Sequence, residues 1–98
     1  MPKPISPGTS GAINELRIVV DLLSRGFDMF RAVSPSCSCD LIGLRDGRCY
    51  RIEVTKGKYR SRTNGPSYLT WVPHDPAKYD ILALIMPDDA ILYMPEII

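Results

Sequence analysis

The sequence predicts an α/β fold in which one long N-terminal helix packs on a mixed sheet of about five strands. Three observations carry this. A helical apolar period runs between a cap near Thr9 or Ser10 and a stop at Gly26. Asp46-Gly47 stands between two short apolar runs, a strong hairpin signal because both residues tolerate positive φ. The unbroken apolar run Asp-Ile-Leu-Ala-Leu-Ile-Met at residues 80–86 has the length of a central strand buried on both faces. At 98 residues the chain suffices for one core, so residues 10–98 read as a single domain.

Residues 1–9 hold Pro2, Pro4, Pro7 and Gly8 and read as an extended arm. A helix of about fifteen residues follows, with Ala12, Ile13, Leu16, Val19, Val20 and Leu23 on one arc. Asn14, Arg17, Asp21, Ser24 and Arg25 occupy the other side. Glu15 lies at the edge of the apolar stripe, where a carboxylate either snorkels from the rim or needs a cation. Residues 27–33 read as a strand, and Ser34-Pro35-Ser36 ends it. The hairpin strands follow, Leu41 to Leu44 and Tyr50 to Val54. In the second, Arg51, Glu53 and Thr55 share one face; Tyr50, Ile52 and Val54 share the face for the helix to cover. Residues 57–67 read as a polar, basic loop, residues 68–72 as a short strand, and residues 75–79 as a single helical turn between Pro73 and the next strand. After Pro87-Asp88-Asp89, residues 90–94 return as the last strand.

A hydrophobic content of 45% with 23% charged residues sets disorder and coiled coil aside. No apolar run approaches the roughly 18 residues that span a bilayer, and no signal sequence opens the chain. Cys37, Cys39 and Cys49 are an odd count without a framework, which suits a reducing cytoplasm. With His74 they fit no standard zinc spacing, so buried small hydrophobes are expected. Net charge is only +1, but seven of the twelve basic residues fall between Arg45 and Arg62: Arg45, Arg48, Arg51, Lys56, Lys58, Arg60 and Arg62. Such clustering is either a solvated basic loop or the footprint of a phosphate-backbone partner.

Gly11-Ala12-Ile13-Asn14-Glu15 on the helix, Cys39-Asp40 at a strand start, and Ile52-Glu53-Val54-Thr55-Lys56 on the next strand follow a helix-Glu, strand-Asp, strand-Glu-x-Lys order. In this the chain resembles the PD-(D/E)XK nuclease superfamily, and its Tyr79-Asp80 strand and ending resemble the small intron-homing and archaeal Holliday junction resolvase branches. The resemblance spans about residues 10–96. It implies a restriction-endonuclease-like core and a metal-dependent DNA endonuclease, homing-like or junction-resolving. Asp40 and Glu53 would be ligands of Mg²⁺ or Mn²⁺, with the Val54 carbonyl as a third. Glu15 would hold a metal-associated water or a second ion, and Lys56 would act beside them. Three neighbouring carboxylates repel one another unless a cation is present. Arg51, Lys58, Arg60 and Arg62 would contact the phosphates of duplex or branched DNA. Tyr59, Tyr68 and Trp71 would either contact sugars and bases or cover the sheet. So small a domain implies a homodimer or higher homo-oligomer, with Ile91, Leu92, Ile97 and Ile98 as contact.

Two departures stand out. Thr55 occupies the place of the family's lysine, and Cys39 that of the proline before its Asp. By strict alternation Lys56 faces the helix side. A β-bulge near Thr55, a reach by Lys58 or Arg51, or an impaired site are the three ways to reconcile this. The alternative function is therefore a nuclease-fold protein that binds nucleic acid or a partner without cutting. A third is a small α/β domain whose acids are surface charges.

Overall fold

The computed structural model describes residues 3–96. It contains helix α1 (Pro7–Ser24) and strands β1 (Asp28–Arg31), β2 (Leu41–Arg45), β3 (Arg48–Arg62), β4 (Gly65–Trp71), β5 (Ile81–Ile85) and β6 (Ile91–Met94), with a 3-10 turn at Pro76–Lys78. The helix packs on a mixed six-stranded sheet of order β1-β2-β3-β5-β6, with β4 paired to the outer half of β3. All ladders are antiparallel except β3–β5, which is parallel. This is an α/β architecture with one helix on a mixed sheet.

The helix begins three residues before the expected cap. Ser6 is the N-cap, accepting from the Thr9 N–H at 3.1 Å, and Pro7 fills the first turn, where its missing N–H costs nothing. The expected extended arm therefore shortens to the residues before Ser6. Of these, Met1 and Pro2 lie outside the described residues. The C-terminal stop matches expectation. Gly26 has φ +88°, its N–H reaches the Leu23 carbonyl, and the Phe27 N–H reaches that of Leu22, a Schellman closure.

The buried helix face differs from the expected arc. Ile18 and Leu22 are fully buried and Val19 packs beside them, whereas Ile13, Leu16, Val20 and Leu23 are 42–67% exposed. The helix is apolar over much of its circumference, so periodicity alone fixes its rotation poorly. Polar anchors fix it instead. Arg17 donates to the Asp89 carbonyl at 2.7 Å and to its carboxylate at 3.2 Å, and the Tyr93 hydroxyl donates to Asp21 at 2.5 Å. The resulting rotation places Glu15 in line with Ile18 and Leu22, on the inner side.

The Asp46-Gly47 turn forms as expected, with φ +54° and +75°. Ile52 is fully buried in the core between helix and sheet, joined by Leu41, Ile81, Ala83 and Ile85, with Tyr50 and Val54 at its margin. β5 is buried on both faces; Leu82, Leu84 and Met86 form a second cluster with Leu69, Trp71, Tyr79 and Met94 on the other side of the sheet. The expected strand at residues 27–33 narrows to Asp28–Arg31.

The largest difference is at residues 57–67, expected as a loop. There β3 continues to Arg62 and turns back as β4, making a two-stranded ribbon. Its residues are polar on one face and sparse in apolar side chains at the tip, so a period-2 apolar signal was absent. Gly57, where β3 leaves the main sheet, is buried, and a Cβ there would lie 2.7 Å from the Met86 sulfur. Ile97 and Ile98, part of the expected subunit contact, lie outside the described residues, and Leu92 is exposed on edge strand β6. No described helix is long and apolar enough to cross a membrane.

Ile52 is central to the core, so Ile52→Ala should lower the unfolding free energy by about 2–4 kcal/mol in urea titration. Tyr59→Ala, on a 58% exposed ribbon residue, should change it by less than about 1 kcal/mol.

Candidate active site

Asp40 stands just before β2, where that strand parts from β3. Its N–H donates at 3.1 Å to the carbonyl of Ile52, the residue that Leu41 already faces, so the pairing slips by one residue at Asp40. The next acceptor is its own side chain: Oδ2 accepts from the Val54 N–H at 2.9 Å. A carboxylate thus takes the place of a backbone carbonyl at the strand divergence, which fixes its direction without consuming Oδ1. Leu41 is opposite Ile52, and the Asp40 carboxylate beside them lies close enough to Glu53 for the two acids to interact.

Glu53 is mostly buried, with its side chain 15% exposed. Burial, the Asp40 charge, the hydrogen bond its protonated form shares with Asp40, and the Glu15 charge push its pKa up to about 7, against the pull of Lys78. Glu15 is likewise raised, first by burial and then by Asp40, while Arg31 at 3.7 Å opposes the shift. Glu15, Asp40 and Glu53 line one cleft of roughly 480 Å³ with Val54, Thr55, Lys56 and Lys58. The structure brings these sequence-derived residues together. Among the described residues, no group of three or more His, Cys, Asp or Glu is arranged to hold a metal ion.

Lys56 faces the helix side, as alternation requires. Its ammonium donates to Ser10 Oγ at 3.0 Å. The β3–β5 register runs unbroken from Ile52 to Lys56, so no bulge near Thr55 turns Lys56 round. Lys56 still reaches the cleft, because the cleft opens between the helix N-terminal turns and the strand divergence. Arg51 is placed elsewhere. Its guanidinium binds both Asp80 carboxylate oxygens at 3.1 Å and the Ala77 carbonyl at 2.9 Å, fastening the 3-10 turn to β3. The pair holds Asp80 below the usual carboxylate range. Lys58, Arg60 and Arg62 are exposed along the ribbon.

Two neighbours of the carboxylates were not in the sequence-derived set. His74 Nδ1 lies 3.4 Å from Glu53, and its Nε2 is buried without a partner. Ser10 orients Lys56. Only tertiary folding brings either residue to the site, and neither carries a local signal. Of the cysteines, Cys39 is buried as expected, whereas Cys37 and Cys49 are exposed. The Cys37 and Cys39 sulfurs are 3.9 Å apart on a bend, not on opposite faces.

No protein-family model matches the sequence, and no curated protein matches it. Among solved structures, the fold is similar to that of a bacterial homing endonuclease, I-Ssp6803I, with a TM-score of 0.68 and 16% sequence identity. The match covers 90% of this chain and 68% of that one.

A raised Glu53 pKa means the native state holds a proton that the unfolded chain has released between about pH 4.5 and 7. Without divalent ions, stability should therefore fall as pH rises through that window. Glu53→Gln should leave stability near that of the wild type at pH 5 and raise it by about 1–2 kcal/mol at pH 8, read by urea unfolding in EDTA.

Proposed function

We propose that the protein is a metal-dependent DNA endonuclease of the PD-(D/E)XK type that hydrolyses phosphodiester bonds. The observation that carries this reading is the mutual crowding of Asp40, Glu53 and Glu15 in one cleft of a nuclease-like fold. Like charges gathered in a partly desolvated site are unfavourable alone and become favourable around a cation.

The donor set suits Mg²⁺ or Mn²⁺. Asp40 and Glu53 offer hard oxygens from adjacent strands, and Mg²⁺ is commonly held by one or two carboxylates with water and substrate phosphate completing its shell. When bound, such an ion supplies Lewis-acid stabilisation of charge on the phosphoryl oxygens. The chain's own residues do the rest. The Val54 N–H holds the Asp40 carboxylate in one orientation. Lys56, steadied by Ser10, presents a positive charge to a phosphate entering the cleft. Glu15, steadied by Arg31, accepts a hydrogen bond from water at the inner wall. Lys58 and Arg60 extend the positive surface along β3 toward the DNA backbone. Arg51 takes no part, being held by Asp80.

One cleft cuts one strand, so severing a duplex calls for two copies. The exposed Ile13, Leu16 and Val20 line an apolar groove on the outer face of α1 together with Ile91, and a second copy of the chain is its proposed occupant.

A second reading has its own support: Thr55 stands where the catalytic lysine is expected, and among the described residues Lys56 hydrogen-bonds Ser10 and no carboxylate. On that reading the protein binds DNA without cutting. Incubation of supercoiled plasmid and of branched DNA with Mg²⁺ or Mn²⁺ separates the two. The nuclease reading expects cleavage that Asp40→Ala and Glu53→Ala each reduce by more than about 100-fold. Salt-sensitive binding with no cleavage of either substrate would favour the second. In light scattering the wild type should have the mass of two chains or more, and Val20→Glu, on the groove, should have the mass of one.

A further inference from the structure

Among the described residues, the outer half of β3 and all of β4 form a ribbon that pairs with no other strand, since β4 bonds only β3. Between Val54 and His74 the sequence holds four basic residues and no acidic one. Pairing sorts these residues by face. Lys58 lies opposite Thr70 and Arg60 opposite Tyr68, whereas Gly57 lies opposite Trp71 and Tyr59 opposite Leu69. Leu69 and Trp71 pack on the second core cluster, so their face is turned toward the domain. The other face carries Lys58, Arg60, Tyr68 and Thr70. Alternation along β3 keeps Arg62 on this face too, since the extra residue at the register shift lies on β4, and its guanidinium is 4.6 Å from the centre of the Tyr68 ring.

That stacking distinguishes Arg62 from the other cations. A phosphate contact needs a charge, and a mobile lysine supplies one. Stacking on an aromatic ring holds the guanidinium plane while leaving its edge donors available, the arrangement for two parallel hydrogen bonds. Among the described residues, Arg62 makes no ion pair or hydrogen bond that would spend those donors. A two-stranded ribbon fits the major groove of B-DNA, where paired donors recognise guanine through O6 and N7. We propose that the β3–β4 ribbon enters the major groove and that Arg62, positioned by Tyr68, reads a guanine there. The ribbon is thus a specificity element separate from the cleft. This rests on the DNA-binding reading above. At about 3.3 Å per residue, Arg62 lies up to roughly 30 Å along β3 from Glu53, which places the guanine within about 9 base pairs of the scissile bond.

The test is selection from a pool of randomised duplex DNA by the full-length protein in Ca²⁺ buffer, with sequencing of the bound fraction, for wild type, Arg62→Lys, Tyr68→Phe and Tyr68→Leu. Arg62→Lys keeps the charge and loses the fork. The proposal expects the wild type to enrich a motif containing a fixed guanine. Arg62→Lys should lose preference at that position by about 10- to 100-fold while keeping the salt dependence of binding. Tyr68→Phe should keep the preference, and Tyr68→Leu should weaken it. An Arg62→Lys protein that enriches the same motif as the wild type would overturn the guanine contact. Salt-dependent binding by the wild type with no enriched motif would overturn the ribbon as a reader while leaving DNA binding intact. A wild type that captures no duplex at all would overturn the DNA-binding reading itself.

Discussion

The contact between the Asp40 carboxylate and the Val54 N–H governs much of this structure. It sits where β2 and β3 separate, and it closes with a side chain a ladder that the backbone no longer closes. Because that N–H needs an acceptor, an aspartate is held at the mouth of the divergence, directly beside Glu53. The same fork opens the cleft into which the helix brings Glu15 and β3 brings Lys56. The fold therefore gathers acids at a place where main-chain pairing between adjacent strands breaks off.

The cost of that gathering is visible in protonation. Glu53 is desolvated and flanked by two other acids, against the opposing charge of Lys78. Its neighbours are fastened elsewhere: Arg51 to Asp80, Arg31 to Glu15, and Lys56 to Ser10. The two acids contrast on one strand assembly: the Arg51 guanidinium holds Asp80 low, whereas burial and neighbouring acids push Glu53 up.

The sheet was largely legible in the sequence because its signals are local. Asp46-Gly47 forces a primed turn, residues 81–85 are apolar throughout, and Gly26 ends the helix. Asp40, Glu53 and Glu15 were legible through their order along the chain. What was not legible depended on competition between distant groups. The helix rotation was decided by Arg17 with Asp89 and by Asp21 with Tyr93, partners 72 residues apart, while a nearly all-round apolar surface left periodicity ambiguous. The ribbon at residues 57–67 lacked apolar alternation because its tip packs on nothing. Ser6 was passed over as a cap because prolines on either side suggested an extended arm, although Pro7 is well suited to a first turn. Arg51 was grouped with the basic cluster by position, and only the fold shows Asp80 claiming it.

The most direct measurement is the anomalous scattering of crystals soaked in Mn²⁺ at pH 8, above the raised Glu53 pKa. The account expects a peak within coordination distance of both Asp40 and Glu53, with the Asp40–Val54 hydrogen bond retained. Crystals that show no peak there would contradict a cation site at the strand divergence.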